Sequence, residues 1–188
     1  GDENSLFRGE PEIHNGADDN ASGTSGIIEL ARAIQRLKLK RSVLFMSFDG
    51  EEAGLLGSKH YAANPIVPLD KIVTILNMDM ISRNKPSEIF IGGMGRNTML
   101  DSCIREISAK YKLTLNPKGM EQYLKRSDQW SFMEKGVPGL FFFGGTHPDY
   151  HTSNDTPDRC NLTKMKLITQ VCIVFLYQIA NSKKSPRE

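Results

Sequence analysis

Two adjacent glutamates, Glu51 and Glu52, lie just after an apolar run at residues 42–48. Two like charges side by side repel each other, so this pair needs a physical reason. A third acid, Asp79, lies inside another apolar run at 71–80. A carboxylate among apolar residues is costly unless it is paired or binds a metal ion. The positions of these three acids therefore indicate a cation site.

Two polar segments supply further metal ligands. NGADDNASG at 15–23 contains Asp18 and Asp19, and THPDYHTSNDTPD at 146–158 contains His151. Zn²⁺ accepts mixed histidine and carboxylate ligands, and two divalent cations would neutralise such a cluster. If one glutamate of the adjacent pair binds metal, its neighbour stays free as a base for a metal-activated water. The pattern predicts metal-assisted hydrolysis.

The elements that position these side chains alternate between strands and helices. The sequence predicts strands at 42–48, 71–80, 88–93 and 138–145, and helices at 24–39, 55–64, 97–112, 127–136 and 162–180. Residues 1–23 read as a loop that leads into the core. Such alternation is typical of a mostly parallel sheet with helices on both faces. Ligands of such sheets collect at the carboxyl ends of the strands, where these acids are expected.

Composition favours an ordinary globular domain. The 188 residues suffice for one α/β domain with a core, and the formal charge of +2 with no basic block argues against a nucleic-acid partner. No apolar run approaches the roughly 20 residues of a membrane span. VCIVFLYQIA at 171–180 predicts a core helix, and the three cysteines form no CxxC pair and predict free thiols.

Five segments together resemble the di-zinc aminopeptidase family, which includes bacterial leucyl-type aminopeptidases, glutaminyl cyclases and glutamate carboxypeptidases. They are NGADDNASGTSGIIELA, RSVLFMSFDGEEAGLLGSKHYA, ILNMDMIS, RSDQWSFMEKGVPGLFFF and DYHTSNDTPD, and the likeness spans about residues 15–181. The resemblance implies an α/β three-layer sandwich with a mostly parallel mixed sheet. It also implies two zinc ions and hydrolysis of the first peptide bond of substrates with a free N-terminus.

The resemblance also implies roles for individual residues. Asp19 resembles the carboxylate that bridges both metals. Glu52 and His151 resemble ligands of one zinc, and Asp79 a ligand of the other. Glu51 resembles the general base.

Residues around the ligands resemble the substrate site. Tyr150 matches a tyrosine that steadies the oxyanion in some members of the family. Arg126 and Asp128 lie in a motif that often lines the substrate pocket, although a helix start with flanking charges explains them equally well. Asp18 matches no ligand position.

The remaining histidines, His14, His60 and His147, match no ligand position either. His147 lies near the site in the chain and could touch substrate. The family often has a cis peptide after the bridging aspartate, so we expect one at Asp19–Asn20.

One expected ligand is missing. The family supplies a histidine in a His-x-Asp motif upstream of the bridging aspartate, and residues 1–18 contain only His14. We therefore expect an N-terminally truncated fragment of a single zinc peptidase domain, without its first strands. Asp19, Glu52 and His151 alone would hold at most one zinc tightly, with low or no activity.

Other functions stay open at this point. The same family resemblance allows a glutaminyl cyclase-like acyltransferase, a carboxypeptidase, or a non-catalytic scaffold domain with an incomplete metal site. The family resemblance implies an exported or periplasmic protein. The sequence does not determine side-chain specificity or oligomeric state.

Overall fold

The computed structural model describes residues 12–188, which form an α/β unit of helices around one sheet. The helices are α1 Gly23–Ile34, α2 Leu56–Ala63, α3 Thr98–Tyr111, α4 Glu121–Leu124, α5 Trp130–Met133 and α6 Leu162–Asn181. The strands are β1 Ile75–Asp79, β2 Glu88–Gly92, β3 Thr114–Asn116 and β4 Gly139–Phe143.

The sheet is mixed, with the strand order β1-β4-β2-β3. β1 is parallel to β4 and β2 is parallel to β3, whereas β2 and β4 are antiparallel. Asp79 pairs in register with Phe143, the last residue of β4. The carboxyl ends of β1 and β4 therefore meet at one edge, where Asp79 and the segment after β4 lie together.

Helices cover both faces of this sheet. On one face, α1, α3 and α6 bury side chains such as Leu30, Ile104 and Phe175 against the strands. On the other face, Leu124 of α4 and Phe143 of β4 belong to a second apolar cluster, and α5 packs against it. The predicted three-layer sandwich is confirmed.

The helix α6 is a core helix, as predicted. By length and composition alone it could cross a membrane. However, it buries Ile168, Val171, Phe175 and Ile179 in the first core cluster. The three cysteines are free thiols, also as predicted.

The prediction of a strand at 42–48 is wrong. No strand is assigned to this segment, and Leu44 within it is 50% exposed. A groove of about 850 Å³ lies between this segment and β1. Because a strand exists only through hydrogen bonds to a neighbour, an apolar run separated from β1 by this groove forms no ladder.

Several boundaries also differ from the predictions. The first helix ends at Ile34 rather than at residue 39, because Leu37 is exposed and gives the last turn no packing. The strand predicted at 71–80 begins only at Ile75, after a short 3₁₀ turn at Leu69–Lys71.

The loop predicted at 1–23 is only partly covered by the described residues. Residues 1–11 lie outside the described residues. Residues Ala17–Ser22 form an irregular helical turn that runs into α1, rather than an open loop, because side chains hold its backbone.

The sequence did not predict the strand β3 or the helix α4. These elements have three and four residues, which is too short for a periodic pattern of apolar residues.

Candidate active site

The adjacent glutamates lie in a tight turn before α2. The amides of Gly54 and Leu55 both donate to the carbonyl of Glu51, at 2.9 and 2.8 Å. A side chain on Gly57 would place its Cβ 2.7 Å from the carbonyl oxygen of Asp49, so only glycine fits this close approach. The turn gives the two acids different surroundings, since Glu51 is half-buried while the Glu52 side chain is 54% exposed.

The turn that carries Asp19 is tied to the end of β1. The side chain of Asn20 donates to the carbonyl of Met78 at 3.2 Å and accepts from the amide of Met80 at 3.1 Å. These two residues flank Asp79 in the chain. The peptide bond between Asp19 and Asn20 is cis, as predicted. Asp19 and Asp79 are thus held side by side through Asn20.

Asp19, Glu52 and His151 converge on one point. Nε2 of His151 lies 3.0 Å from Oδ2 of Asp19 and 2.7 Å from Oε1 of Glu52. The ligand atoms of all three residues lie within 4.8 Å of one another. Nε2 is buried, and neither carboxylate is aligned with it for a hydrogen bond. One nitrogen and two carboxylate oxygens around a common point fit a zinc ion.

The backbone of His151 is unusual. Its φ of 58° lies in the left-handed region, which costs a non-glycine residue roughly 1–2 kcal/mol. Such conformations cluster at functional sites, where the surrounding structure fixes them. The strain supports a functional role for this side chain.

Asp79 lies partly buried beside the three converging residues but is not one of them. Its Oδ2 accepts a 2.7 Å hydrogen bond from the hydroxyl of Ser127. Burial raises the pKa of Asp79 to about 6, although the bond from Ser127 opposes the rise. The structure therefore brings Asp79 close to Asp19 without placing it in the three-residue group. His14 is not in this group either.

Crowded acids raise one another's pKa. Burial raises the pKa of Asp19 to about 8, and the charges of Asp79 and Glu52 add to the rise. Burial also raises the pKa of Glu51 to about 8, with further contributions from Asp79 and Glu52. A cation would relieve this repulsion, as the sequence indicated.

Tyr150 lies at the same site. Its ring stacks on the ring of His151, with 3.7 Å between the centroids. Burial and the charges of Asp19 and Glu52 raise the pKa of its hydroxyl. The hydroxyl therefore stays protonated and can donate a hydrogen bond.

The two predicted substrate residues differ in their surroundings. Asp128 is half-buried and lines the same groove as Glu51 and Asp79, and burial raises its pKa. Arg126 is exposed and lies over the ring of Tyr123, 5.6 Å from its centroid. Both assignments stay predictions.

Asp18 is not one of the converging ligands and contacts other residues. Its Oδ1 accepts from the amide of Ser82 at 2.7 Å and from the hydroxyl of Ser22 at 3.1 Å. Its Oδ2 lies 3.2 Å from Nε2 of the buried His147. These contacts place His147 beside Asp18. The absence of a ligand role for Asp18 stays a prediction.

A family model decides the identity. The model of peptidase family M28 matches residues 5–176, which is most of the chain. The chain belongs to peptidase family M28.

Among M28 relatives, the chain is 28% identical over 185 residues to "Aminopeptidase YwaD" of Bacillus subtilis (strain 168). It is 31% identical over 194 residues to "Leucine aminopeptidase 2" of Arthroderma otae. These matches cover 92% and 89% of this chain but 39% of each relative. The chain therefore spans about two fifths of the length of these relatives.

Solved structures agree with the M28 assignment. The zinc aminopeptidase BSAP of Bacillus subtilis matches with a TM-score of 0.77 and 25% identity, over 91% of this chain and 44% of that one. The glutaminyl cyclase of Porphyromonas gingivalis matches with a TM-score of 0.64 and 17% identity, over 88% of this chain and 64% of that one. The second likeness shows the fold alone.

Sequence reasoning missed three residues that support the M28 site. Asn20 accepts from the amide next to Asp79, and Ser127 donates to the Asp79 carboxylate. Asp155 accepts from the amide of Asp19. Ser127 lies between Arg126 and Asp128, the two residues of this motif that the sequence predicted to line the substrate pocket. The sequence feature that could have identified Asp155 is its place in the DYHTSNDTPD segment, four positions after the predicted ligand His151.

Proposed function

We propose that this chain carries the active site of a zinc-dependent aminopeptidase that removes N-terminal residues from peptides. The observation that carries the proposal is the convergence of Asp19 and Glu52 on Nε2 of His151, at 3.0 and 2.7 Å. The names of the M28 relatives support an aminopeptidase over a cyclase. A non-catalytic scaffold is disfavoured because a structural metal site would not need Glu51 as a free base.

Asp19, Glu52 and His151 would hold one zinc ion. When bound, zinc polarises the carbonyl of the substrate and makes water acidic enough to lose a proton near neutral pH. Asp19 and Asp79 would hold a second zinc, but they offer only two carboxylates and no nitrogen. Since affinity depends on the number and type of ligands, we propose that this chain holds at most one zinc tightly.

Glu51 is the proposed general base. It is half-buried beside Asp19 and Glu52, and it lies in the groove that contains Asp79 and Asp128. In this role it takes a proton from the attacking water and passes it to the leaving amine. A pKa raised toward neutrality suits a group that must both accept and return a proton.

Tyr150 is the proposed oxyanion donor. Burial and the neighbouring acids keep its hydroxyl protonated. A fixed donor in a site with little water stabilises the developing negative charge more strongly than water does. Its stacking on His151 would hold the ring beside the reacting carbonyl.

The acids of the site would also select the substrate. A peptide with a free N-terminus carries a positive α-amine, which the charge of Asp128 and the ligand carboxylates attract. Internal peptide bonds lack this amine and would bind less well. Arg126 is proposed to contact the substrate from the rim of the site.

Release of amino acids from a panel of aminoacyl nitroanilides tests the proposal. We expect hydrolysis, weak in this chain, that chelators abolish and added Zn²⁺ restores. The panel includes an N-terminal glutamine substrate. Cyclisation of that glutamine, rather than its release, would contradict the aminopeptidase assignment.

A further inference from the structure

The carboxylate of Asp155 is buried against the backbone of the turn that carries Asp19. Both of its oxygens lie 3.0 Å from the amide nitrogen of Asp18, and Oδ2 also lies 3.0 Å from the amide nitrogen of Asp19. The backbone carbonyl of Asp155 accepts a 3.1 Å hydrogen bond from the amide of Ala17. One residue therefore holds three consecutive amides of this turn.

A short series of turns connects Asp155 rigidly to His151. The amide and the hydroxyl of Thr152 both donate to the carbonyl of Asp149, at 3.1 and 2.8 Å. The amide of Asn154 donates to the Thr152 hydroxyl at 3.2 Å, and the amide of Asp155 donates to the Thr152 carbonyl at 3.2 Å. Because these bonds close the segment from Asp149 to Asp155 around His151, a shift of Asp155 would be transmitted to His151.

Both terminal atoms of the side chain at this position face a backbone amide, so both are best filled by acceptors. A carboxylate has two oxygens that accept, whereas an amide has one oxygen and one NH₂ group that donates. Asparagine here would leave an NH₂ group facing a backbone amide. The carboxylate has a cost, because the charge of Asp155 raises the pKa of Asp19. An asparagine oxygen in the place of Oδ2 would avoid that repulsion and could still accept from both amides, but its NH₂ group would then lie 3.0 Å from the amide nitrogen of Asp18, donor against donor.

We propose that Asp155 is a positioning residue for the metal site, and this inference rests on the proposed zinc-dependent function. It fixes the turn of Asp19 against the segment of His151, so that Oδ2 and Nε2 stay 3.0 Å apart before any metal binds. Asp155 itself does not contact the metal. A site whose ligands are already in place binds metal more tightly than one whose ligands must be brought together.

Zinc affinity of the 188-residue chain tests the inference. We would compare the wild type with Asp155→Asn by competition against a chromophoric chelator, at a temperature where both are folded by circular dichroism. Partners that orient metal ligands typically contribute 10–100-fold in affinity. We expect Asp155→Asn to bind zinc more weakly by a factor in this range. Wild-type affinity in Asp155→Asn would overturn the inference.

Asp149→Asn is the matched control. Asp149 lies in the same segment and is also buried, but its carboxylate binds Arg83 at 2.5 Å and Arg159 at 2.6 Å instead of the Asp19 turn. Both variants should unfold more easily in chelator, but Asp149→Asn should keep wild-type zinc affinity. An equal loss of affinity in both variants would show general loosening of the segment and would overturn the inference.

Asp155→Glu provides a rescue, because it keeps two acceptor oxygens on a longer side chain. We expect its zinc affinity to lie between those of the wild type and Asp155→Asn. The visible spectrum of bound Co²⁺, which reports ligand geometry, should change in Asp155→Asn and not in Asp149→Asn.

The outcomes separate the positioning role from the proposed function. A wild type that binds zinc but cleaves no aminoacyl substrate contradicts the proposed function alone. A wild type that binds no zinc contradicts both, since no metal site would exist for Asp155 to position.

Discussion

The hydroxyl of Ser127 donates a 2.7 Å hydrogen bond to Oδ2 of the partly buried Asp79. Ser127 in turn accepts from Nδ2 of Asn77 at 2.8 Å, so its hydroxyl hydrogen is directed at the carboxylate. This bond favours the charged form of Asp79 and opposes the effect of burial on its pKa. The Ser127 hydroxyl thus partly offsets the effect of burial on the ionisation of a candidate zinc ligand.

Ser127→Ala should raise the pKa of Asp79 above its value of about 6. A hydrogen bond to a charged group is worth ~1.5–3 kcal/mol, so the rise should be roughly one unit or more. NMR titration of the Asp79 carboxyl carbon in zinc-free protein measures this pKa in the wild type and the variant. Ser131→Ala is the control, because that buried hydroxyl bonds to Ser58 at 2.9 Å instead. An unchanged pKa in Ser127→Ala would contradict the role given to this bond.

The adjacent glutamates should separate by function. Glu51→Gln should lower turnover by about 10²–10⁴-fold, the usual contribution of a positioned base, and leave zinc content nearly unchanged. Glu52→Gln should lower zinc content, because it removes a ligand. Turnover and elemental analysis of both variants check this division. This division of roles would be wrong if both variants lost zinc equally while Glu51→Gln stayed active.

The zinc-free chain should lose stability as the pH rises from 5 to 8. The folded-state pKa values of Asp19 and Glu51 are about 8, above the values near 4 that unfolded carboxyl groups have. The folded state therefore binds more protons than the unfolded state in this range, and the free energy of unfolding falls with pH. Urea unfolding in chelator at several pH values measures the decline.

Glu51→Gln should make that decline smaller, because it removes one of the groups that titrate. Two opposing effects are strongest outside this window. Below it, carboxyl groups with lowered pKa, such as Asp149, lose their protons. Lys164, whose pKa is lowered to about 8, begins to lose its proton only near the upper end of the window. Constant or rising stability between pH 5 and 8 would contradict the crowding of acids at the site.

Gly23→Ala should destabilise the chain and weaken zinc binding. Its Cβ would lie 2.3 Å from the carbonyl oxygen of Met78 and 2.5 Å from Oδ1 of Asn20, so the start of α1 would have to move. Such overpacking typically costs about 1–3 kcal/mol. The free energy of unfolding and the zinc affinity measure the two effects.

Gly26→Ala is the control for that change. It lies in the same helix, and its Cβ would meet only side-chain atoms of Met78 and Ile81, at 3.1 Å or more. These side chains can move, so the loss of stability should be smaller and zinc binding should be unchanged. Equal effects of the two substitutions would contradict the argument from the Asn20 contact.

The sequence predicted the strands that end at the site but not what fixes their side chains. Buried apolar runs mark β1 and β4, and a carboxylate in such a run identified Asp79. The run at 42–48 has the same composition, yet it forms no strand, because composition does not report whether a neighbouring strand is within hydrogen-bond reach. Asn20 and Asp155 bond to residues 60 and 136–137 positions away, and no local pattern encodes such pairs.

Zinc content of the purified 188-residue chain tests the central claim most directly. After dialysis against metal-free buffer, elemental analysis should find one tightly held zinc per chain. His151→Ala should lose it, whereas His60→Ala, in α2 and exposed, should keep it. Two tightly held zinc ions, or a zinc that survives His151→Ala, would contradict a single site formed by Asp19, Glu52 and His151.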